Sequence, residues 1–190
     1  IKAFFYVGGN DSMDTTAKLN AFAKAKNIDI KFFGIPKTID NDLMHTDHTP
    51  GFGSAAKFIS TVVLETYLDS KVYTNNGIFI IETMGRDTGW LAASGALATI
   101  NGNKCADLVY LPERAFSVQS FLTDVARIFK EKKHVYIVAS EGLKDENGKF
   151  LTETVSNDDS FGHAQLGGVG AYLKNLIIQA SITHRVKSLE

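Results

Sequence analysis

Short apolar stretches rich in β-branched and aromatic residues recur along this chain, each halted by glycine or proline and followed by a segment of helical spacing. Lys2–Val7 stops at Gly8-Gly9-Asn10-Asp11-Ser12, and Ile28–Ile35 stops at Pro36 before Lys37-Thr38-Ile39-Asp40-Asn41-Asp42. Ile78–Glu82 runs into Met84-Gly85-Arg86, Asp107–Leu111 follows, and His134–Ala139 runs into Ser140-Glu141-Gly142. Such alternation restricts the chain to an α/β fold: three layers, αβα, with mainly parallel strands and helices on both faces. A sheet of this kind presents its ligand site outside the carboxyl ends of its strands. The glycine and acidic runs fall at those ends.

Between the strands the spacing predicts five helices. The first is capped by Asp11 or Ser12 and runs to about Lys26; the second opens at Pro50–Ser54 and runs to about Tyr73. Trp90–Ile100 is alanine-rich, Val118–Lys130 follows a capping Ser117, and Gly167–Val186 closes the chain. Asp145–Asp159 is polar around an Asn147-Gly148 turn and reads as a hairpin or a mobile loop.

A length of 190 residues allows one or two domains, and 44% apolar with 22% charged residues is ordinary for a globular chain. The net charge of −1 gives no reason to expect nucleic acid or an anionic membrane as partner. A single cysteine, Cys105, excludes an intrachain disulfide, and no apolar run approaches the roughly 20 residues of a membrane helix. The chain begins without methionine and already inside a strand pattern, so an excised piece of a longer polypeptide is expected.

Asp40 and Asp42 stand two apart on one loop, so one can act as a base toward a hydroxyl while the other holds a divalent cation. An Asx-rich turn after Pro36 is the competing use of these residues. Lys37 beside two acids favours a phosphate ligand, which makes phosphoryl transfer the expected chemistry. The glycine pair Gly8-Gly9 lets backbone approach a phosphate, and a plain strand-to-helix turn would also use it. Asp11 there should repel further negative charge unless Mg²⁺ or Lys37 compensates. Arg86 at a helix start opposes the macrodipole and so favours a ligand role. Glu141 can accept from a sugar hydroxyl or be a solvated loop acid. His163 precedes a glycine pair and a helix, where an imidazole can meet a phosphate. His45 and His48 flank Asp47, but a loop hydrogen-bonding role suits them better than zinc.

Together these runs resemble the phosphofructokinase family, and in particular its pyrophosphate-dependent branch. The matching stretches are Gly8–Ser12, Pro36–Asp42, Thr46–Gly53, Met84–Trp90, Asp107–Glu113, Ser140–Gly142 and Gly162–Gly168, which span nearly the whole chain. The resemblance implies Rossmann-like halves, with possible lobes 1–51 plus 164–190 and 52–163. It makes Asp40 the base that deprotonates the 1-hydroxyl of fructose 6-phosphate. Asp42, with Asn10, would hold Mg²⁺, and Thr38 would touch the sugar or the transferred phosphoryl. Gly8, Gly9, Asp11, Ser12 and Lys37 would meet the donor. Met84, Gly85, Arg86 and Glu141 would meet the sugar phosphate, and His163 its 6-phosphate. ATP-using members usually have glycine where this chain has Asp11, and many have glycine in place of Lys37, so pyrophosphate is the expected donor. The resemblance further implies a glycolytic, cytoplasmic homo-oligomer.

The chain also departs from the family. Asn10 stands where many members have a metal-binding aspartate, and Gly77 and Leu166 stand where many bacterial members have phosphate-binding arginines. The family's N-terminal glycine-rich donor loop and its C-terminal part have no counterpart here, so the isolated chain is expected to be inactive. The rival readings are an ATP-dependent 6-phosphofructokinase and a sugar-phosphate-binding fragment without catalysis. A lipid or NAD kinase is disfavoured because those lack the Thr38–Asp42 run.

Overall fold

The first two apolar stretches become strands β1 (Ala3–Gly8) and β2 (Lys31–Pro36), joined by helix α1 (Asn10–Ala25). The structure is a computed structural model that describes residues 1–72, 77–152 and 168–190. These strands pair in parallel, from Ala3 opposite Lys31 to Gly8 opposite Pro36, as a helical crossover permits. Gly34 lets α1 lie close to the ribbon, since a Cβ there would stand 2.7 Å from Met13 Sδ. By strand alternation the other face carries Phe5, Val7, Phe33 and Ile35, all exposed, with Phe5 and Phe33 stacked at 4.9 Å.

The aromatic and β-branched run of Ala3–Val7 reads as a buried strand, but within β1 only Gly8 is buried. The apolar run is genuine, but the described residues supply one helix for a ribbon apolar on both sides. Gly9 stands at the cap of α1 with no side-chain bond, in place of Asp11 or Ser12. Asp11 instead lies in the first turn, where a carboxylate suits the positive helix end. At the other end Asn27 adopts φ 53° and Ile28 N donates to Ala23 O, so the strand starts at Lys31 rather than Ile28.

Four of the remaining strands form one parallel sheet. Strands β3 (Gly77–Thr83), β6 (Leu108–Tyr110), β7 (His134–Ser140) and β8 (Val186–Leu189) lie in the order β6-β7-β3-β8. Helices α2 (Phe52–Ser70), α3 (Trp90–Ser94), α4 (Val118–Lys132) and α5 (Val169–Gln179) complete the layers. Alternate residues of β3 and β7 feed two cores. Ile78, Ile80, Val135 and Ile137 pack with Phe121, Val125 and Ile128 of α4 and Leu173 and Ile177 of α5. Phe79, Ile81, Tyr136 and Val138 pack with Val63 of α2 and Ala92 of α3. Each such side chain contributes about 1.5–3 kcal/mol of burial. The three-layer α/β expectation is met here.

Ser117 caps α4 as expected, its Oγ accepting from Ser120 N at 3.3 Å, and Lys133 closes the helix at φ 56°. The helix expected over Trp90–Ile100 ends at Ser94, passes through a tight turn over Gly95–Leu97, and gives way to a hairpin. In it β4 (Thr99–Ile100) pairs antiparallel with β5 (Asn103–Lys104). The connecting Asn101-Gly102 adopts φ 50° and 79°, the positive values a two-residue hairpin turn demands. The last helix ends at Gln179 instead of Val186, which lies in β8 opposite Ile78. Around Asn147-Gly148 the chain folds back with Lys144 bridging Phe150 in antiparallel sense; residues 153–159 lie outside the described residues.

Two compact units result, Ile1–Gly53 and Ser54–Glu190. Residues 168–190, expected beside 1–51, belong to the second unit because β8 pairs with β3 and α5 packs on the same sheet.

Candidate active site

In the first unit the two motif loops leave adjacent strand ends. Lys37 N donates to Gly8 O at 2.8 Å, and a Cβ on Gly9 would stand 3.9 Å from Lys37 O, so the loops run side by side. At Gly8 a Cβ would collide with the Ser12 side chain, which fixes glycine there. Asp11 and Asp40 each bury one carboxylate oxygen, Oδ1, whereas Asn10, Lys37 and Asp42 are exposed.

The Thr38–Asp42 loop is internally braced. Asp40 N donates to Thr38 Oγ1 at 3.1 Å, which turns the chain at the candidate base. Asn41 is buried at 7% exposure and adopts φ 62°. Its Oδ1 accepts from Thr49 N at 2.8 Å and its Nδ2 donates to Asp47 O at 3.1 Å. Asn tolerates the left-handed region better than most residues, and its amide satisfies a donor and an acceptor at once. Asn41 therefore sets the backbone from which Asp40 and Asp42 project. In the sequence the only local sign of this task is an asparagine between two acids at a turn.

In the second unit Met84-Gly85-Arg86 follows β3 and Glu141 follows β7. Gly85, at φ 125°, is held from both sides: its N donates to Glu141 Oε1 at 3.2 Å and its O accepts from Ser140 Oγ. Glu141 N in turn donates to Thr83 O at 2.9 Å, and Gly142 N to Ser140 Oγ at 3.2 Å. Only glycine fits at 142, where a Cβ would strike the Arg86 carbonyl. Further along, Gly89 N donates to Glu113 Oε1 at 2.7 Å, and Lys144 pairs with Asp87 at 2.9 Å. Glu141 is thus structural as well as available to a ligand, since a carboxylate accepts several bonds. Ser140 and Glu113 are braces that the sequence did not mark. Met84 is exposed and Arg86 half-buried.

His163 and Leu166 lie outside the described residues. Gly77, expected to replace a phosphate-binding arginine, adopts φ 82°, and a Cβ there would collide with the Arg185 carbonyl. A side chain is excluded at that point by the backbone.

A family model described as Phosphofructokinase matches residues 1–188. A pyrophosphate–fructose 6-phosphate 1-phosphotransferase of Xanthomonas campestris is 46% identical over 175 residues, covering 91% of this chain and 42% of that protein. A sulfofructose kinase of Alkalicoccus urumqiensis is 37% identical over 179 residues, covering 93% of this chain and 45% of that protein. Among solved structures, the pyrophosphate-dependent phosphofructokinase of Marinobacter aquaeolei superposes with a TM-score of 0.74 at 37% identity, covering all of this chain and 44% of its own. The chain spans less than half the length of these relatives. Over nearly all of its length it belongs to the phosphofructokinase family.

Proposed function

We propose that this chain is part of a phosphotransferase that moves a phosphoryl group from pyrophosphate to the 1-hydroxyl of fructose 6-phosphate, reversibly. The observation that carries the reading is the braced loop pair of the first unit, with Asp11 and Lys37 on it beside the Asn41-held acids. Asp40 accepts the hydroxyl proton as the sugar oxygen bonds to the terminal phosphorus. The bridging P–O bond breaks, its electrons leave on orthophosphate, and fructose 1,6-bisphosphate remains. Thr38 orients the loop at the reacting oxygen. Lys37 and Arg86 offset phosphoryl charge. Gly8, Gly9 and Ser12 offer backbone and hydroxyl to the donor. Met84, Gly85 and Glu141 bind the sugar, and His163 takes its 6-phosphate.

Among the described residues no group of three or more His, Cys, Asp or Glu is gathered for a metal. Mg²⁺ needs only one or two carboxylates when phosphate oxygens and water complete its shell. The exposed Asp42, with Asn10 at the start of α1, fits that demand and would hold it. Bound Mg²⁺ would neutralise charge on the diphosphate. The parent protein is read as a glycolytic, cytoplasmic homo-oligomer.

A second acceptor deserves an arm of the test because of the sulfofructose kinase relative. The full-length protein is assayed with pyrophosphate or ATP as donor and fructose 6-phosphate or sulfofructose as acceptor. Turnover with pyrophosphate and fructose 6-phosphate is expected, and Asp11→Gly should shift preference toward ATP by freeing space and charge for a nucleotide. Turnover with ATP alone would transfer the assignment to the ATP-dependent class. Binding of fructose 6-phosphate without turnover would reduce the protein to a sugar-phosphate binder.

A further inference from the structure

Glu82 is the penultimate residue of β3, two positions before Met84, and its carboxylate reaches the start of α5. Gly170 N donates to Oε2 at 2.8 Å and Gly168 N donates to Oε1 at 3.2 Å. Amides at the start of a helix are the groups that α/β folds commonly offer to a phosphate. Two of them here end on the chain's own acid. Gly168 adopts φ 79°, a conformation that favours glycine, while a Cβ on Gly170 would make only ordinary contact with Glu82 Oε2 at 3.5 Å and Ser188 Cβ at 3.4 Å.

The arrangement is unfavourable for a negative charge. Burial pushes the Glu82 carboxyl above its ordinary range, and Glu190 and Glu141 add repulsion that the two amide bonds only partly offset. A helix start needs no such group. Ser117 serves α4 with a hydroxyl. A charge held against desolvation, one residue from the substrate turn, points to use rather than to stability. Thr83 links the two: its carbonyl accepts from Glu141 N, and Glu141 holds Gly85.

We propose that Glu82 is a positioning residue for the sugar-phosphate acceptor, acting as a built-in anion at the start of α5. It locks that helix to the strand end bearing Met84–Gly85–Arg86 and keeps the α5 amides from capturing the substrate's phosphate. The inference rests on the reaction proposed above.

Glu82→Gln keeps size and one acceptor but removes the charge and one of the two bonds. In the full-length protein it should raise KM for fructose 6-phosphate about tenfold, as loss of a charge-assisted bond does. KM for pyrophosphate should stay within about twofold. Glu82→Asp should recover part of the loss. An unchanged KM for fructose 6-phosphate, or equal rises for both substrates, overturns the proposal and leaves the reaction assignment standing. If the wild type turns over neither donor, the reaction assignment falls and thermal shift with fructose 6-phosphate decides. A shift lost in Glu82→Gln supports positioning, whereas equal shifts in both proteins, or none in the wild type, overturn it.

Discussion

The two units use the same strand-turn-helix grammar and bury it differently. Every residue of β7 is buried, whereas five of the six residues of β1 are exposed. Yet β1 is as apolar as β7, Phe-Phe-Tyr-Val against Val-Tyr-Ile-Val. The contrast teaches that an apolar run states how much surface a strand can bury, not how much its neighbours cover. It also separates two duties. In the first unit the order of the site comes from local hydrogen bonds, Asn41 above all. In the second the site turn stands on strands anchored in two hydrophobic cores.

The sharpest break of this comparison removes chemistry while sparing stability. Asp40→Asn should lower turnover of the full-length protein by about 10²–10⁴-fold, the range of a general base. It should leave the denaturant midpoint where it is. A variant that keeps a tenth or more of the activity would remove Asp40 from the reaction.

Next come paired truncations, one per unit. Ile80 is fully buried, and Ile80→Ala should cost about 2–5 kcal/mol in urea unfolding of this chain. Phe33 is 44% exposed, and Phe33→Ala should cost less than about 1 kcal/mol. Equal costs would mean that something covers the ribbon in solution, and the contrast between the units would dissolve.

A smaller effect isolates the local brace. Asn41→Gly keeps the positive φ accessible but deletes both side-chain bonds, so strain cannot explain a loss. Turnover should fall about tenfold to a hundredfold, as misplacement of a reacting group allows, with kcat carrying more of the loss than KM. Asn41→Asp keeps the acceptor for Thr49 N and should fall between. Wild-type kcat in Asn41→Gly would show that Asp40 and Asp42 need no brace.

Legibility in the sequence followed the range of each interaction. The strand ends and their acidic runs were readable because glycine, proline and paired acids mark them locally. The α4 cap was readable for the same reason, Ser117 and Ser120 being three residues apart. Strand β8 was not, because Val-Lys-Ser-Leu is four residues long with one charge and draws its support from β3, far away in sequence. The break near Gly95 is hidden by alanines, though Asn101-Gly102 is itself a local hairpin signal. Glu82 and Ser140 were invisible as braces because their partners lie 86 and 55 residues away. Asn41 sat in plain view, but its acceptor and donor arrive only once residues 47 and 49 fold back.

The smallest effect tests whether the buried polar groups of the second unit make it the acid-sensitive one. His134 is 4% exposed at the start of β7; its Nε2 meets Ser70 Oγ at 2.8 Å, and Tyr67 stands edge-on at 5.4 Å between ring centres. Burial lowers its pKa below the ordinary 6.5, Lys71 and Lys132 lower it further, and Asp107 opposes them. A histidine with a lowered folded-state pKa gives stability that is present above its unfolded value. That stability is lost as pH falls through the folded value, because the unfolded chain binds the proton first. Denaturant midpoints of this chain should therefore decline as pH falls below about 6.5, part of that decline coming from this group. His134→Gln, which keeps a partner for Ser70 but cannot take a proton, should flatten that part of the profile. An identical decline in the variant would shift the acid sensitivity to other groups and leave the contrast between the units resting on apolar burial alone.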